Sequence, residues 1–348
     1  MPRIAVIPGD GIGHEVLEQG QRVLDHLSQR DSLNLGFEHL PYGADRYLES
    51  GVSITSEEMQ ALRDYDAIYL GALGDPRVQS NVHAREILLG MRFELDLYIN
   101  LRPVKLLDAR YCPLKGKEPK DLRFVVFREN TEGLYTGIGG QFKKGTSDEI
   151  AIEAEMNSRK GVERIIRAAF AHAKARGLPT VCMSDKSNAM RHGHELWQRV
   201  FREVSTEYPE IETKHYYVDV LTMQMVRNPE QFDVIVTNNL FGDIVTDLGA
   251  ELQGGIGLAA SGNLNPAAGI GMFEPVHGSA PDIAGQGIAN PLAAILSAGM
   301  MLSWLGHPAL EQELESAVKH CLNTDQVTRE LGGTLSGAQV ADAVIAQL

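Results

Sequence analysis

Short apolar runs alternate with amphipathic stretches along most of the chain, and this alternation predicts strands that are followed by helices. Residues 3–8, 67–70 and 124–127 have the length and composition of buried strands. Residues 181–184 and 234–236 repeat the pattern. Strands that are apolar throughout and separated by helices form a mostly parallel sheet with helices on both faces. The chain is therefore predicted to be an α/β protein.

Helices are predicted where apolar residues recur every three or four positions. These stretches are residues 14–27, 53–62, 83–93, 158–175, 292–302 and the chain after Ser336. Ser158 would cap one of them, and either Ser53 or Thr55 another. Residues 100–104 begin a stretch that is interrupted by Pro and Gly, so an irregular crossing between domains is expected there.

The stretch 232–257 combines an apolar strand, a polar turn and a helix that carries acids on one face. Asp243, Asp247 and Glu251 recur every fourth residue, so a helix would stack their carboxylates. Every Asp, Glu, Lys or Arg in residues 234–281 is an acid. Like charges at this spacing destabilise a helix by about 0.2–0.5 kcal/mol per pair, so compensation from elsewhere is expected. A divalent cation bound by oxygen ligands would provide it, and a solvated acidic face is the alternative.

Composition and charge exclude several classes of partner. The 348 residues carry a formal net charge of −14, which argues against binding to nucleic acid or to an anionic membrane. The longest apolar run, residues 291–306, is shorter than the roughly 20 residues of a membrane span. No secretory signal pattern is found. The three cysteines are far apart, so neither a disulfide framework nor a CxxC site is expected, and a reducing cytoplasm fits best.

Two glycine-rich segments could contact a nucleotide. Gly9, Gly11 and Gly13 follow the first strand with the spacing GxGxG, which differs from the GxGxxG fingerprint, so an ordinary strand-to-helix turn is favoured over a dinucleotide site. The polar segment EPVHGSAPDIAGQGIANP is too long for a simple connector, and Asp282 is its only charged residue after Glu274. An acid in a nucleotide loop binds ribose hydroxyls and repels a 2′-phosphate, so NAD is the expected dinucleotide.

Arg92, Arg102 and Arg128 are candidates for binding an anionic substrate. They are predicted at a helix end, in a turn before proline and at a strand end, and arginine binds carboxylates bidentately. A surface ion pair is the alternative for each of them alone. Three such residues together with an acidic cluster suggest a substrate held between guanidinium groups and a metal.

Lys186 and Tyr135 are candidates for proton transfer. Lys186 directly follows an apolar strand, where burial or nearby cations can turn a lysine into a base, and an exposed loop lysine is the alternative. Tyr135 lies in a Gly-rich loop and could donate a proton, with aromatic packing as the alternative. His192, His194 and His277 match no zinc spacing and are expected to be structural or polar loop residues.

Five motifs give the chain a resemblance that extends through nearly all 348 residues. They are PGDGIG at 8–13, ELDLYINLRP at 94–103, RENTEGLY at 128–135, NLFGDIVTDL at 239–248 and HGSAPDIAG at 277–285. In this order they resemble the β-decarboxylating 2-hydroxyacid dehydrogenases, a family of isopropylmalate, isocitrate, homoisocitrate and tartrate/D-malate enzymes.

The resemblance implies the two-domain isocitrate/isopropylmalate dehydrogenase-like fold, with a mostly parallel sheet flanked by helices, and not a Rossmann domain. Residues 1–99 and 256–348 would form a cofactor-binding first domain. Residues 100–255 would form a second domain for dimerisation and metal binding. The active site would lie in the cleft of a homodimer.

The same resemblance implies residue roles. The substrate would be bound by Leu88, Leu89, Arg92, Arg102 and Arg128. Lys186 and Asp219 would reach in from the neighbouring subunit, and Mg²⁺ or Mn²⁺ would be held by Asp219, Asp243 and Asp247. NAD would be held by Glu274, His277, Gly278, Ser279, Ala280, Asp282 and Asn290.

The implied reaction is oxidation of a 2-hydroxy acid followed by loss of its β-carboxylate as CO₂. The metal would lower the pKa of the substrate hydroxyl, Lys186 would remove its proton as hydride passes to NAD, and Tyr135 would protonate the resulting enolate. A non-catalytic, carboxylate-binding regulatory subunit is the alternative from another class. Such subunits tend to lack the Lys, Tyr or metal aspartates, which are all present here.

The substrate is inferred from the helix before Arg92. Leu88 and Leu89 resemble the isopropylmalate pattern, whereas homoisocitrate enzymes usually have Arg where Leu89 stands, and isocitrate enzymes use a polar residue on this helix. Arg85 departs from the pattern, since isopropylmalate enzymes usually have Glu there and tartrate/D-malate enzymes Trp. The phrase SGNLNP at 261–266 also resembles the tartrate/D-malate branch. The expected reaction is the conversion of 3-isopropylmalate to 2-oxo-4-methylpentanoate, a step of leucine biosynthesis.

Overall fold

The structure, a computed structural model, describes residues 1–348, and the chain divides into two units. The first unit comprises Met1–Leu97, Lys105–Pro119 and Ala250–Leu348, and the second comprises Tyr98–Val104 and Lys120–Gly249. Residues Lys105–Pro119, which the resemblance assigns to the second domain, therefore lie in the first unit. Ion pairs within the first unit accompany this placement, since Lys105 contacts Glu315 and Arg110 contacts Asp325.

The chain forms twelve strands and eleven α-helices. The strands are β1 (Arg3–Gly9), β2 (Gly36–His39), β3 (Ala67–Ala72), β4 (Ile99–Lys105), β5 (Arg123–Glu129), β6 (Gly139–Phe142), β7 (Ile150–Glu153), β8 (Thr180–Asp185), β9 (Glu212–Tyr217), β10 (Val234–Thr237), β11 (Ala260–Asn265) and β12 (Ile270–Pro275). The helices are α1 (Gly13–Asp31), α2 (Ala44–Ser50), α3 (Ser56–Ala61), α4 (Val82–Glu94), α5 (Arg159–Arg176), α6 (Arg191–Ser205), α7 (Val218–Arg227), α8 (Asn239–Gln253), α9 (Leu292–Trp304), α10 (Pro308–Asn323) and α11 (Gly337–Ile345).

The first unit is built on strands in the order β2-β1-β3-β12-β11. Neighbouring strands are parallel except β11 and β12, which pair antiparallel. Strands β1, β3 and β12 are apolar almost throughout, as expected for strands covered on both faces. Helix α9 is buried on nearly all sides and packs against β12, so it is the core helix of this unit and not a membrane span. No helix in the structure is long and apolar enough to cross a membrane.

The second unit contains strands in the order β4-β5-β10-β8-β9. Strands β5, β10, β8 and β9 are parallel, so their carboxyl ends meet at one edge. The register pairs Thr237 at the end of β10 with Arg128 on one side and Ser184 on the other. Ligand-binding residues of parallel sheets gather at this edge.

The hairpin of β6 and β7 forms a separate two-stranded sheet. All eight of its strand residues are exposed, including Phe142 and Ile152, whose exposed fractions are 62% and 61%. The sequence does not predict this hairpin, because its Gly-rich and polar flanks resemble a loop.

Most predicted elements are present, and the errors have local causes. Residues 100–104, expected to be irregular, lie in strand β4, so Arg102 projects from a strand and not from a turn. The sequence pattern does not predict this strand because it contains Pro103, and proline is usually excluded from strand interiors. Of the two candidate caps for α3, the structure selects Thr55, which forms a capping box with Glu58.

A buried histidine makes the stability of the second unit depend on pH. Burial lowers the pKa of His172 to about 4, and the positive charge of Arg176 contributes to this. Because this pKa lies below the ordinary 6.5, the unfolded chain binds more protons between these values, and stability is lost as the pH falls through them. We expect His172→Gln to reduce the acid-induced loss by about 1–2 kcal/mol. Urea unfolding at pH 7.5 and pH 5 measures it, and identical losses in both proteins would contradict the assignment.

Candidate functional site

Several charged side chains of the second unit lie close together where its parallel strands end. Arg128 lies near the carboxyl end of β5, and α8 begins two residues after β10. Because Asp243 and Asp247 lie one turn apart on α8, both carboxylates lie on one side of that helix. Gly242 allows the close approach, since a Cβ there would lie 2.4 Å from Cγ of Arg128.

Two buried arginines compensate the acidic face of α8. Nη1 of Arg128 lies 2.6 Å from Oδ1 of Asp243, and Nη2 of Arg102 lies 3.7 Å from the same oxygen. Arg102 also approaches Asp247 at 3.9 Å and donates a hydrogen bond to Thr246 at 2.6 Å. The side chains of Arg128 and Arg102 are only 1% and 8% exposed. The expected compensation from outside the segment is therefore present, and arginines supply it.

Tyr135 joins the same cluster. Its hydroxyl donates a hydrogen bond to Oδ2 of Asp243 at 3.0 Å, and its ring centroid lies 5.3 Å from the guanidinium carbon of Arg128. Asp243 therefore contacts two guanidinium groups and one phenol. Aromatic packing, the alternative interpretation of Tyr135, therefore does not account for its contacts by itself.

Lys186 and Asp219 form a second pair in this unit. Lys186 follows β8, Asp219 lies in the first turn of α7, and their Nζ and Oδ2 atoms are 2.7 Å apart. The hydrogen bond from Lys186 lowers the pKa of Asp219 below its usual value. The alternative interpretation was an exposed loop lysine, whereas the Lys186 side chain is only 26% exposed and is ion-paired.

The three candidate metal ligands do not assemble within one chain. No group of three or more His, Cys, Asp or Glu side chains among residues 1–348 is arranged to hold a metal ion. The resemblance assigns Asp219 to the site of the neighbouring subunit, so a single chain is not expected to complete the set. Asp243 and Asp247 offer hard carboxylate oxygens with partly exposed side chains, which fits Mg²⁺ or Mn²⁺.

In the first unit, Arg92 is buried at the end of α4. Its Nη2 lies 3.1 Å from Oε1 of Glu274, which also accepts a hydrogen bond from Asn263 at 2.8 Å. Nε of Arg92 is buried without a hydrogen-bond partner, so it can donate to a bound anion. Glu274 itself lies in strand β12 and not in a loop, which corrects its expected location.

The two leucines expected to select the substrate also lie on α4. Leu88 packs against the buried cluster that contains Ile87 and Met91, and Leu89 is half-buried. Arg85 on the same helix is exposed. Part of the apolar character of this helix therefore serves the core.

The remaining candidate cofactor residues follow β12. Nδ1 of His277 donates to the carbonyl of Gly278 at 3.0 Å, so Nε2 is an acceptor, and it is buried without a partner. Nδ2 of Asn290 is also buried without a partner, while its Oδ1 accepts from the backbone N–H of Leu292 at 3.1 Å. Buried polar atoms without partners are rare in folded proteins. The segment therefore fits a polar ligand such as a dinucleotide.

Ala280 in this segment has a strained backbone. Its φ is 36°, in the left-handed region that non-glycine residues rarely adopt. Such conformations cost on the order of 1–3 kcal/mol and are common at binding sites. Ser279 beside it is buried, whereas Gly278 and Asp282 are exposed. The segment therefore exposes Gly278 and Asp282, while contacts with the surrounding structure hold its strained backbone in place.

The PGDGIG turn, which the sequence gives as an ordinary strand-to-helix connection, holds this segment. The N–H of Ile12 donates to the carbonyl of Ser279 at 2.8 Å, and a Cβ at Gly11 would lie 2.1 Å from that oxygen. Glu15, in the first turn of α1, accepts hydrogen bonds from the backbone N–H groups of Gly285 and Gly287. Glu15 has no sequence signal beyond an acid at a helix start, so its role is visible only in the fold.

Asp10 of the same turn connects three further parts of the first unit. One carboxylate oxygen accepts from the N–H of Ala44 at 2.6 Å, at the start of α2. The other accepts from the N–H of Gly74 at 2.7 Å and lies 2.8 Å from Nε2 of His83, in the first turn of α4. The turn thus anchors both the segment after β12 and the helix that carries Arg92.

Comparison with known protein families gives a match over residues 3–344 to the model described as isocitrate/isopropylmalate dehydrogenase. The chain is 48% identical over 343 residues to a 3-isopropylmalate dehydrogenase of Thermobifida fusca, covering 98% of this chain and 96% of that protein. It is 47% identical over 344 residues to a 3-isopropylmalate dehydrogenase of Streptomyces coelicolor, covering 97% and 98%.

Solved structures show the same fold. The isocitrate dehydrogenase of Methylococcus capsulatus superposes with a TM-score of 0.88 at 35% identity, covering 100% of this chain and 99% of that one. A beta-decarboxylating dehydrogenase of Thermococcus kodakarensis superposes with a TM-score of 0.81 at 38% identity, covering 100% and 96%. The predicted fold class is therefore confirmed.

The contacts of Glu15 lead to a prediction about the segment after β12. We expect Glu15→Ala to speed backbone hydrogen exchange in a peptide covering residues 277–290, because two N–H groups lose a charged acceptor. Glu18→Ala, an exposed acid on the same helix, is the matched control and should leave exchange unchanged. Equal exchange in the two variants would contradict the role given to Glu15.

Proposed function

This chain belongs to the isocitrate/isopropylmalate dehydrogenase family, and we propose that it converts (2R,3S)-3-isopropylmalate to 2-oxo-4-methylpentanoate in leucine biosynthesis, with NAD and a divalent metal. The observation that carries the proposal is the cluster around Asp243, where two buried guanidinium groups and a phenol converge on a candidate metal ligand. Full-length identity of 47–48% to 3-isopropylmalate dehydrogenases supports the choice of substrate within the family.

The arginines would bind the two carboxylates of the substrate. All three arginines, Arg92, Arg102 and Arg128, are buried. A buried guanidinium requires an anion, and its planar donors suit a carboxylate. Leu88 and Leu89 would contact the isopropyl group. These assignments follow the motifs of the family, and the burial of the charges supports them.

The metal would be held by Asp243 and Asp247 with Asp219 of the partner subunit. Mg²⁺ or Mn²⁺ would supply a Lewis acid that lowers the pKa of the substrate hydroxyl, and NAD would supply the hydride acceptor. The donor set contains only carboxylate oxygens, which these hard ions prefer.

Two residues of the second unit would then move protons. Lys186 of the partner subunit would accept the hydroxyl proton while the hydrogen on C2 leaves as hydride. The bond from C3 to its carboxylate would break next, and CO₂ would leave the electron pair on C3. The Tyr135 hydroxyl would donate a proton to that carbon and complete the product.

The first unit would bind NAD through the segment after β12, with Glu274, His277, Gly278, Ser279, Ala280, Asp282 and Asn290. The unpartnered Nε2 of His277 and Nδ2 of Asn290 support this assignment, because one can accept and the other donate a hydrogen bond. Asp282 is exposed and acidic, which would disfavour the 2′-phosphate of NADP. A cytoplasmic location follows from the proposed pathway.

We also propose a homodimer formed by the second unit. Helix α7 exposes Met223 and Val226, helix α8 exposes Ile244, and the hairpin exposes Phe142 and Ile152. Single exposed apolar side chains are ordinary, but five large ones within one unit support an interaction surface. A second copy of the chain would cover them and would bring Lys186 and Asp219 to the partner's site.

A substrate panel tests the reaction. We expect Mg²⁺-dependent NADH formation with 3-isopropylmalate to exceed that with D-malate, tartrate, isocitrate and homoisocitrate. Lys186→Met should abolish oxidation and leave metal binding largely intact, because the base is removed while the aspartates remain. Faster turnover of D-malate or tartrate than of 3-isopropylmalate would overturn only the proposed substrate. Unaltered turnover by Lys186→Met would refute the role of Lys186 as the base.

A charge on the proposed dimer surface tests the assembly. We expect Val226→Glu to weaken the dimer and lower activity in parallel, because a buried unpaired carboxylate opposes association. Sedimentation at micromolar concentration measures the dimer. Leu48→Glu, on an exposed apolar residue of the first unit, is the control and should stay dimeric. A monomeric, active wild type would contradict the proposed assembly.

A further inference from the structure

A buried histidine holds the backbone of Lys186. His194 lies in α6 with its side chain only 1% exposed, and its Nδ1 accepts a hydrogen bond from the Lys186 N–H at 2.6 Å. The carbonyl of Lys186 in turn accepts from the N–H groups of Ala189 and Met190. The main chain of Lys186 is therefore fixed on both sides, while its side chain extends to Asp219.

The Lys186 contact determines which nitrogen of His194 carries the proton. A backbone N–H can only donate, so Nδ1 must be unprotonated and the ring proton must reside on Nε2. Nε2 lies 3.2 Å from Oε2 of Glu155, which can accept that proton's hydrogen bond. The imidazole therefore joins an amide donor to a carboxylate acceptor.

Glu155 extends the chain of contacts to α8. Its Oε1 accepts a hydrogen bond from Nδ2 of Asn238 at 2.6 Å, and Oδ1 of Asn238 accepts from the N–H of Phe241 at 2.9 Å. That second bond caps the first turn of α8, which carries Asp243 two residues later. Burial raises the pKa of Glu155, but hydrogen bonds from His194, Asn157 and Asn238 outweigh this and lower it below the usual value.

We propose that Glu155, His194 and Asn238 form a positioning network that fixes the main chain of Lys186 relative to the start of α8. The inference rests on the proposed function, in which Lys186 is the base in the neighbouring subunit's site and α8 carries metal ligands of its own chain's site. The three residues act through Lys186 and through the helix, so they are positioning residues and not catalytic ones. His194 and Asn238 are buried and the side chain of Glu155 is 8% exposed, so the hydrogen bonds among them are strong and an unpaired partner is costly.

Packing offers a different explanation for His194 that the test must separate. The imidazole lies edge-on to the ring of Phe241, with centroids 5.5 Å apart. If His194 only fills space, each substitution should lower activity only as far as it destabilises the protein, whether or not the new residue can accept a hydrogen bond. If the hydrogen bond to Lys186 matters, a residue that retains an acceptor near Nδ1 should rescue function.

Two substitutions make that distinction. In His194→Asn, the amide oxygen can occupy the position of Nδ1 and accept from the Lys186 N–H, while the contact with Glu155 is lost. In His194→Gln, the longer side chain can reach Glu155, while the Lys186 N–H loses its acceptor. We expect kcat to fall on the order of 100-fold in His194→Gln, with KM for NAD unchanged, because small misplacements of a reacting group cost this much. His194→Asn should retain most of kcat.

His172→Gln is the matched control, because His172 lies on α5 against Phe127 and away from this network. It should leave kcat and KM unchanged. Equal losses of kcat in His194→Asn and His194→Gln, or wild-type kcat in His194→Gln, would overturn the proposal.

Hydrogen exchange tests the network independently of activity. Exchange in a peptide covering residues 185–190 should rise in His194→Gln and stay near wild type in His194→Asn. If wild type forms no NADH with any substrate of the panel, the proposed function fails while exchange still tests the network.

Should a His194 variant not fold, Glu155→Gln serves instead, since its amide has only one oxygen and cannot accept from both His194 and Asn238. A smaller fall in kcat is expected there, and wild-type kcat and exchange in Glu155→Gln would refute the network.

Discussion

The arrangement at the strand edge of the second unit depends on the ion pair between Arg128 and Asp243. Arg128 is almost fully buried, and a buried guanidinium without an anion costs about 3–5 kcal/mol. Asp243 satisfies this requirement and also accepts from Tyr135. The Asp243 carboxylate thus contacts both Arg128, the candidate anion binder, and Tyr135, the candidate proton donor, and it joins them to the first turns of α8. The acids and the arginines are best understood as one mutually neutralising set.

Local sequence patterns were sufficient for the elements that are regular and apolar. The strands β1, β3, β5, β8 and β10 follow from short continuous apolar runs and the face of α8 from a period of 3.6, and these patterns predict the fold class. The same patterns fail for β4 because Pro103 interrupts it, and for β11 and β12 because their Gly and Ala residues carry little β signal. Those strands are stabilised by their neighbours in the sheet, and such pairing over long sequence distances has no local signature.

The residues of the candidate site also divide into those with a local sequence signal and those without one. Arg128, Asp243 and Asp247 can be found from strand ends and helix spacing, and Asp282 from an acid in a Gly-rich segment, while Asp219 and the other NAD residues were assigned by resemblance. Glu15, Asp10 and His194 were missed because each acts through backbone N–H groups that are distant or buried. A histidine that lies near no metal motif gives no hint that it contacts Lys186. Only the folded chain shows which polar side chains have backbone partners.

The contacts of Asp10 have a consequence for how specificity can change in such an enzyme. Helix α4 is anchored at its first turn through His83 and in the core through Ile87 and Met91. Its positions 85 and 89 contribute to neither anchor, since Arg85 is exposed and Leu89 is half-buried. Evolution or design can therefore exchange these side chains while the scaffold that carries Arg92 stays intact. On the proposed assignment of substrate selection to α4, a new preference would require few substitutions on this helix, and the shared chemistry of the family would not have to be rebuilt.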